Sequence, residues 1–317
     1  MPYVHLVFTL PHCLNALYGA HPRWVIDTLF TCTAQTLAEF AANPKWMGVA
    51  GGKPAFSLVL HNCTQDLLVH LHVHAVMACG VLGQDGHGCQ VGRWATPRRQ
   101  PNYLFPGEAL SSVFRGKFMA ALLQARRTGQ IDRDPQATQT LWNERQRQLY
   151  KHKWVVYAKA PLGGPAQVLE YLSRYTHRTA ISNERIRTIT TDEVAFNVRA
   201  NDHGGKRLER LDGEEFVRRF LLHILPTGLK RIRHYGVLAS SCKAAQLTAA
   251  RQSPQMPQPS VQAMEGARDF LARVARIDVR LCPCCKVGRL HITAVLQGQA
   301  RLPAPACAVM PANRGPP

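Results

Sequence analysis

The stretch Leu67–Cys79 (LLVHLHVHAVMAC) constrains the fold more than any other part of the chain. His70, His72 and His74 fall at i, i+2 and i+4, with Leu71, Val73 and Ala75 between them. Side chains on a strand alternate faces, so the spacing gives one face of imidazoles and one apolar face. The pattern predicts a strand over 67–79, closed at Gly80. A row of imidazoles is poor core material. It suits a divalent cation, because imidazole nitrogen is the commonest protein metal ligand and a strand fixes its position rigidly.

The neighbouring segments say what this strand pairs with. Val4–Leu10 is β-rich and stops at Pro11, and residues 22–42 carry apolar side chains at helical spacing. After a glycine-rich turn over Gly48–Pro54, Ala55–Asn62 reads as a second strand, joined to the histidine strand by a short turn and so antiparallel to it. Residues 83–107 read as loop or edge hairpin, 108–129 as an amphipathic helix, about 134–151 as another helix and 154–158 as a strand. A helix is expected over 166–176, with Pro165 suited to its first position. Strands near 185–190 and 193–200, a short strand after Gly204-Gly205, a helix over about 212–225 and a strand or turn over 232–238 complete the reading. The class is α+β: an antiparallel sheet with helices mainly on one face, plus a β-rich extension.

Charge indicates the partner. The 317 residues hold 39 Lys+Arg against 20 Asp+Glu, a formal net charge of +19. That excess points to a polyanion, nucleic acid before an anionic membrane surface. A hydrophobic fraction of 46% excludes a disordered basic tail. No run of 18 apolar residues is present. The start MPYVHLVFTLPH lacks a secretory pattern. Cys13, Cys32, Cys63, Cys79, Cys89 and Cys242 are accordingly expected as free thiols in a reducing compartment.

Three further constellations carry chemistry. A third metal ligand beside His72 and His74 is sought in Gln65, Asp66 or His70, with Gln65 slightly ahead. Two imidazoles and an amide oxygen, with positions open to water and phosphate, would suit Mg²⁺ or Mn²⁺. Tyr171 and Tyr175, four apart on an expected helix, share a face, and Arg174 and Arg178 form a second such pair. Phenols beside guanidinium groups can act on a phosphodiester. Downstream, Arg218, Arg219, Arg231 and Arg233 are candidates for a phosphate track. Finally, Cys282-Pro283-Cys284-Cys285-Lys286-Val287-Gly288 is similar to one zinc knuckle. Cys282 and Cys285 would be two of four Zn²⁺ ligands, the others coming from His291, Cys284, Cys307 or a second chain.

A His-hydrophobic-His strand followed by a helix with Tyr-x-x-x-Tyr resembles the signature of two-tyrosine HUH endonucleases. The segments VHLVFTLP (4–11), QDLLVHLHVH (65–74), WVVYAKAP (154–161), YLSRYTHRTAISN (171–183) and FVRRFLLHILPTGLKRIRHYG (216–236) resemble the insertion sequence 91 family of rolling-circle transposases. Leu71 stands where family members often have proline. The resemblance implies a ferredoxin-like antiparallel sheet, His72 and His74 as metal ligands, Gln65 at the place of a polar third ligand, and Tyr171 and Tyr175 as paired nucleophiles. It also implies single-stranded DNA at element ends as substrate, a 5′-phosphotyrosine intermediate and a bacterial cytoplasmic, nucleoid-associated protein. The competing readings are a rolling-circle replication initiator with the same chemistry and an inactive DNA-binding remnant. Family members usually carry a cysteine-rich zinc domain before the first strand, where this chain begins, so a chain without that domain is expected. The expected organisation is a catalytic domain over 1–250, a linker over 251–262, a short helix and knuckle over 263–295, and a disordered tail over 296–317.

Overall fold

The computed structural model describes residues 3–84, 90–97, 104–131, 139–162, 180–199, 205–241 and 243–251, with 269, 280–282 and 284–291. The chain divides into two compact units, Met1–Ser260 and Val261–Pro317.

The first unit opens with β1 (Tyr3–Thr9), then α1 (Asn15–Ala20), α2 (Pro22–Ala42) and α3 (Pro44–Met47). Pro22 begins α2 where a missing N–H costs nothing, and Asn43 caps α3 by accepting from the Lys45 N–H at 2.9 Å. β2 (Lys53–Cys63), β3 (Val69–Gln84) and β4 (Gln90–Ala95) follow, then α4 (Gly107–Arg127), α5 (Gln139–Lys151) and β5 (Val156–Leu162). Beyond residue 180 come β6 (Ile186–Ile189), β7 (Glu193–Arg199), β8 (Lys206–Asp212), α6 (Gly213–Leu221), β9 (Ile232–Gly236) and α7 (Lys243–Arg251).

The main sheet runs β5-β1-β3-β2-β9, with β4 also paired to β3, and all its pairings are antiparallel. In β1, β2, β3 and β5 this is the interleaved order of a ferredoxin-like sheet, in which each helical crossover skips one strand position. The expected fold class is therefore the observed one.

Period-two alternation divides the sheet into two unlike faces. Leu6, Phe8, Phe56, Leu58, Leu60, Leu71, Val73, Ala75 and Met77 all join the main core with α2 and α4. Phe114 meets Phe8 edge-on at 5.2 Å and Trp154 at 5.5 Å between ring centroids. The Trp154 indole N–H donates to the Leu149 carbonyl at 2.9 Å, so this buried ring leaves no donor unsatisfied. The opposite face carries His5, Ser57, His61, His72 and His74. At its far end Ala55, Ala78, Leu82, Val237 and Ala250 form a separate small core.

A second sheet, β6-β7-β8, is also antiparallel. Val194, Phe196, Val198 and Leu211 cluster with Cys63 and Leu67 from the β2–β3 connection. The β-rich extension is thus anchored to the turn that precedes the histidine strand.

Several boundaries differ from expectation for local reasons. β3 starts at Val69 because the chain turns over Thr64–Leu68, where the Leu68 N–H donates to Thr64 Oγ1 and Leu67 sits at φ 59°. A non-glycine residue in that region is uncommon; here the fully buried Leu67 side chain holds it in the second core. Gly80 does not close the strand. It lies inside β3 at φ +146°, where a Cβ would stand 2.1 Å from the Trp94 indole nitrogen and 2.6 Å from the Ala95 carbonyl oxygen. The glycine admits β4 against β3. The helix expected to run to 225 ends at Leu221, and His223 turns inward to the Leu67 carbonyl. The helix expected over 166–176, the linker beyond Arg251 (which closes α7) and the tail lie outside the described residues.

Gly80→Ala should destabilise the protein by about 1–3 kcal/mol, through both the clash with Trp94 and the unfavourable φ. Urea denaturation followed by circular dichroism would measure this, and an unchanged midpoint would contradict the assigned role of Gly80.

Candidate metal centre

β3 brings His72 and His74 to the sheet's second face, as the alternation requires, and β2 adds His61. The register sets His61 directly opposite His72 and Val59 opposite His74. One ligand atom from each of His61, His72 and His74 falls within 4.8 Å of the others. His72 and His74 are buried and His61 is half-buried.

Hydrogen bonds orient the rings. His72 Nδ1 lies 3.0 Å from the His70 carbonyl oxygen. A carbonyl only accepts, so Nδ1 carries the proton and Nε2 presents its lone pair. That Nε2 lies 2.9 Å from His61 Nδ1. His74 Nδ1 lies 3.0 Å from Nε2 of His5, a buried residue of β1.

The cluster strongly disfavours protons. Burial pushes His72 down to about 3, with the charges of His61 and His70 adding to the effect. Burial likewise pushes His61 down to about 4, helped by Arg231, His70 and His223. Both imidazoles are therefore neutral at pH 7, the form that binds a cation. The donor set fits a divalent metal: three imidazoles on two adjacent strands of a rigid sheet, with three ligands leaving positions for further oxygens.

Of the three candidates for the third ligand, Gln65 and Asp66 face other partners and His70 stands beside the cluster. Gln65 sits in the Thr64–Leu68 turn, outside the strand alternation, and its Oε1 accepts from the Arg199 N–H of β7 at 2.7 Å. Its carbonyl accepts from the Arg185 guanidinium. The turn aims the amide at the second sheet instead of the histidines. Asp66 pairs with Arg207 at 3.0 Å. The His70 ring is close to His72, at 4.9 Å between centroids, and equally close to His12 at 5.0 Å, but it stands outside the three-atom cluster. His61 was missed because His61-Asn62-Cys63 has no periodic partner in its own segment. The available signal was its place at the end of the strand hairpinned to the histidine strand.

The arginines separate into different settings. Arg218 and Arg219 share the Glu215 carboxylate, and Arg219 also donates to the Asp66 carbonyl at 3.1 Å. These contacts tie α6 to the turn before β3. Arg233 lies on the helix-covered face, ion-paired with Asp27, with its guanidinium 4.1 Å from the Phe30 ring centroid. It does not join the histidine face. Arg231 is half-buried and close enough to lower the His61 pKa by its charge. Tyr171, Tyr175, Arg174 and Arg178 lie outside the described residues.

In the second unit, the Leu281–Arg289 bridge closes a tight loop. Inside it, the Cys282 N–H donates to the Gly288 carbonyl at 2.7 Å, and the Lys286 N–H donates to the Cys282 carbonyl at 2.9 Å. Lys286 adopts φ 57°. The Gly288 N–H points at Cys285 Sγ, at 3.2 Å. Backbone N–H groups of Val287 and Gly288, and then the Cys282 thiol, hold the Cys285 thiol below its ordinary pKa. Elsewhere burial pushes Cys32 and Cys63 up to about 12 and Cys79 up to about 11, so these are unreactive thiols. All seven cysteines among the described residues are free.

Comparison with known proteins decides the family. The Y2_Tnp family, described as "Putative transposase", matches residues 56–245. The chain belongs to this family of insertion sequence 91-like transposases. It is 36% identical to the Sinorhizobium fredii protein named "Putative transposase y4qJ", over 93% of this chain and 74% of that one. It is 25% identical to the transposase for insertion sequence element IS801 of Pseudomonas savastanoi pv. phaseolicola, over 94% of this chain and 68% of that one. Among solved structures it is similar to TrwC complexed with a 27-mer DNA comprising the recognition hairpin and the cleavage site. That likeness has 12% identity and a TM-score of 0.29, over 78% of this chain and 72% of that one, and adds nothing to the sheet order described above. No helix among the described residues is long and apolar enough to cross a membrane.

The metal-free protein should lose stability as pH falls. A histidine whose folded pKa lies below its unfolded value is stabilising above about 6.5, and that contribution disappears as the unfolded chain takes up protons that the folded site refuses. With His61 held near 4 and His72 near 3, melting temperature in chelator should drop steadily between about pH 6.5 and about pH 4. The double variant His61→Gln, His72→Gln should show a shallower drop, measurable by differential scanning fluorimetry across a pH series.

Proposed function

We propose that the protein nicks and rejoins single-stranded DNA at element ends, with tyrosine as nucleophile and a divalent cation on His61, His72 and His74. The observation that carries this reading is the three-imidazole cluster on the second face of a ferredoxin-like sheet, in a chain of the transposase family. A divalent cation held by His61, His72 and His74 would supply Lewis-acid polarisation of the scissile phosphate and offset charge in the transition state. Three nitrogen ligands and no carboxylate favour Mn²⁺ over Mg²⁺, which prefers an oxygen shell.

The chain's own residues supply the rest. Tyr171 or Tyr175 attacks phosphorus in line; a bond forms from the phenolic oxygen to phosphorus, and the bond to the 3′ oxygen breaks. The phenol gives up its proton and the leaving oxygen gains one, so a 5′-phosphotyrosine and a free 3′-hydroxyl result. The second tyrosine then allows a second cleavage while the first strand stays attached. The bond energy is retained in the phosphotyrosine, so rejoining needs no nucleotide cofactor.

Arg174 and Arg178, neighbours of the tyrosines in sequence, are assigned as phosphate contacts. Arg231 is the downstream arginine best situated to meet a strand at the histidines. Arg218 and Arg219 act through the Glu215 and Asp66 contacts that hold α6, and contribute positive potential more than direct phosphate binding. The excess of +19 supports the same substrate and an association with bacterial nucleoid DNA.

Labelled single-stranded DNA carrying an element end, incubated with protein and Mn²⁺, should give a covalent adduct on a denaturing gel. The double variant Tyr171→Phe, Tyr175→Phe should give none. His61→Ala and His72→Ala should each lower the nicking rate at least ~100-fold. Normal nicking by His61→Ala would remove it from the metal site.

The Cys282–Gly288 loop is read as half of a structural Zn²⁺ site, with Cys282 and Cys285 as its thiolates and backbone N–H groups already aimed at Cys285 sulfur. Purified protein should contain zinc by elemental analysis. Cys282→Ser or Cys285→Ser should remove that zinc. Equal zinc in wild type and both variants would refute the assignment.

A further inference from the structure

Beyond the three ligands, the buried His5 is left unexplained by the proposed reaction. His5 lies in the middle of β1, opposite Val76 of β3, with Val7 opposite His74. It is therefore the diagonal neighbour of His74 on the same face, a separation that aromatic side chains span. The two rings meet edge to edge in nearly one plane, with centroids 5.2 Å apart and planes 13° from parallel. His5 Nε2 and His74 Nδ1 are 3.0 Å apart, and His5 is 1% exposed. An imidazole placed at this depth in a sheet is expensive unless it is hydrogen-bonded, and leucine would pack the position at less cost.

A neutral imidazole has one N–H and one lone pair. Between His5 Nε2 and His74 Nδ1 there is room for one proton, so one ring donates and the other accepts. If His74 binds the cation, its remaining nitrogen, Nε2, must present a lone pair and Nδ1 must carry the proton. His5 Nε2 is then the acceptor. His72 is held in the same way by a different acceptor, the His70 carbonyl. Both ligands of β3 would thus have Nδ1 tied back into the sheet and Nε2 turned to the metal, one through a main-chain oxygen and the other through His5.

We propose that His5 is a positioning residue: by accepting a hydrogen bond from His74 Nδ1 it sets the tautomer and ring orientation that make His74 a metal ligand. This rests on the metal site proposed above. A partner hydrogen-bonded to the far nitrogen of a ligating histidine typically contributes 10–100-fold to metal affinity. The contact needs only an acceptor at the place of Nε2, which the carbonyl oxygen of glutamine can provide.

The experiment is Mn²⁺ binding by the full chain, followed by electron paramagnetic resonance of free Mn²⁺, for wild type, His5→Phe, His5→Gln and His72→Ala. His5→Phe keeps an aromatic ring without the acceptor and should bind about 10–100-fold more weakly. His5→Gln should remain within about threefold of wild type, since it restores the acceptor. Equal affinity in wild type and His5→Phe, with binding lost in His72→Ala, overturns the role of His5 and leaves the metal site standing. No binding by wild type overturns the metal site and this inference with it. Should His5→Phe fail to fold, long-range ¹⁵N–¹H spectra of the wild-type histidines decide the matter without a variant. His74 protonated at Nδ1 is expected, and His74 protonated at Nε2 overturns the proposal.

Discussion

The two-sidedness of β3 is the constraint on which the rest of the structure depends. Leu71, Val73, Ala75 and Met77 are fully buried against the helices, and the strand is held there by the main core. A slip of one residue would drive three imidazoles into that core and expose the apolar row. The hydrophobic effect thus locks the register of the strand, and the locked register holds the histidines on the other face. Packing energy on one side of the sheet becomes positional accuracy on the other.

The neighbouring strands extend this arrangement. Antiparallel pairing with β2 delivers His61 opposite His72, and pairing with β1 delivers His5 diagonal to His74. No loop is needed to assemble the cluster, which is the condition under which ligands stay within fractions of an ångström of their positions. Burial then disfavours protons on His61 and His72, leaving lone pairs in a cluster that could hold a divalent cation. The same burial makes the metal-free site a source of acid sensitivity. The cationic residues follow a different logic. Several arginines lie close to carboxylates, as in Arg218–Glu215, Arg207–Asp66 and Arg233–Asp27, and hold elements together. The excess charge over these pairs is what remains for a polyanion.

Much of the site was legible in the sequence because strand periodicity is local. His72 and His74 share a face by arithmetic, the order of strands and helices implied an antiparallel α+β sheet, and the family resemblance implied its ferredoxin-like form. Gln65 was misplaced for a reason equally local in kind but invisible in composition. The Leu67 left-handed turn breaks the alternation two residues before the strand begins and swings the amide toward Arg199. Gly80 misled for the opposite reason: a glycine that usually punctuates a strand here admits Trp94.

By itself the sequence determined the imidazole row, the helices that cover its apolar side, the basic excess and the likeness to a transposase family. Each of these is a matter of residue type and short-range spacing. Only the tertiary structure decided that His61 completes the cluster, that His5 backs His74, and that Arg233 belongs to the core side of the sheet. Those facts depend on which residues face one another across strands, and that register is set by the packing of side chains far apart in the chain.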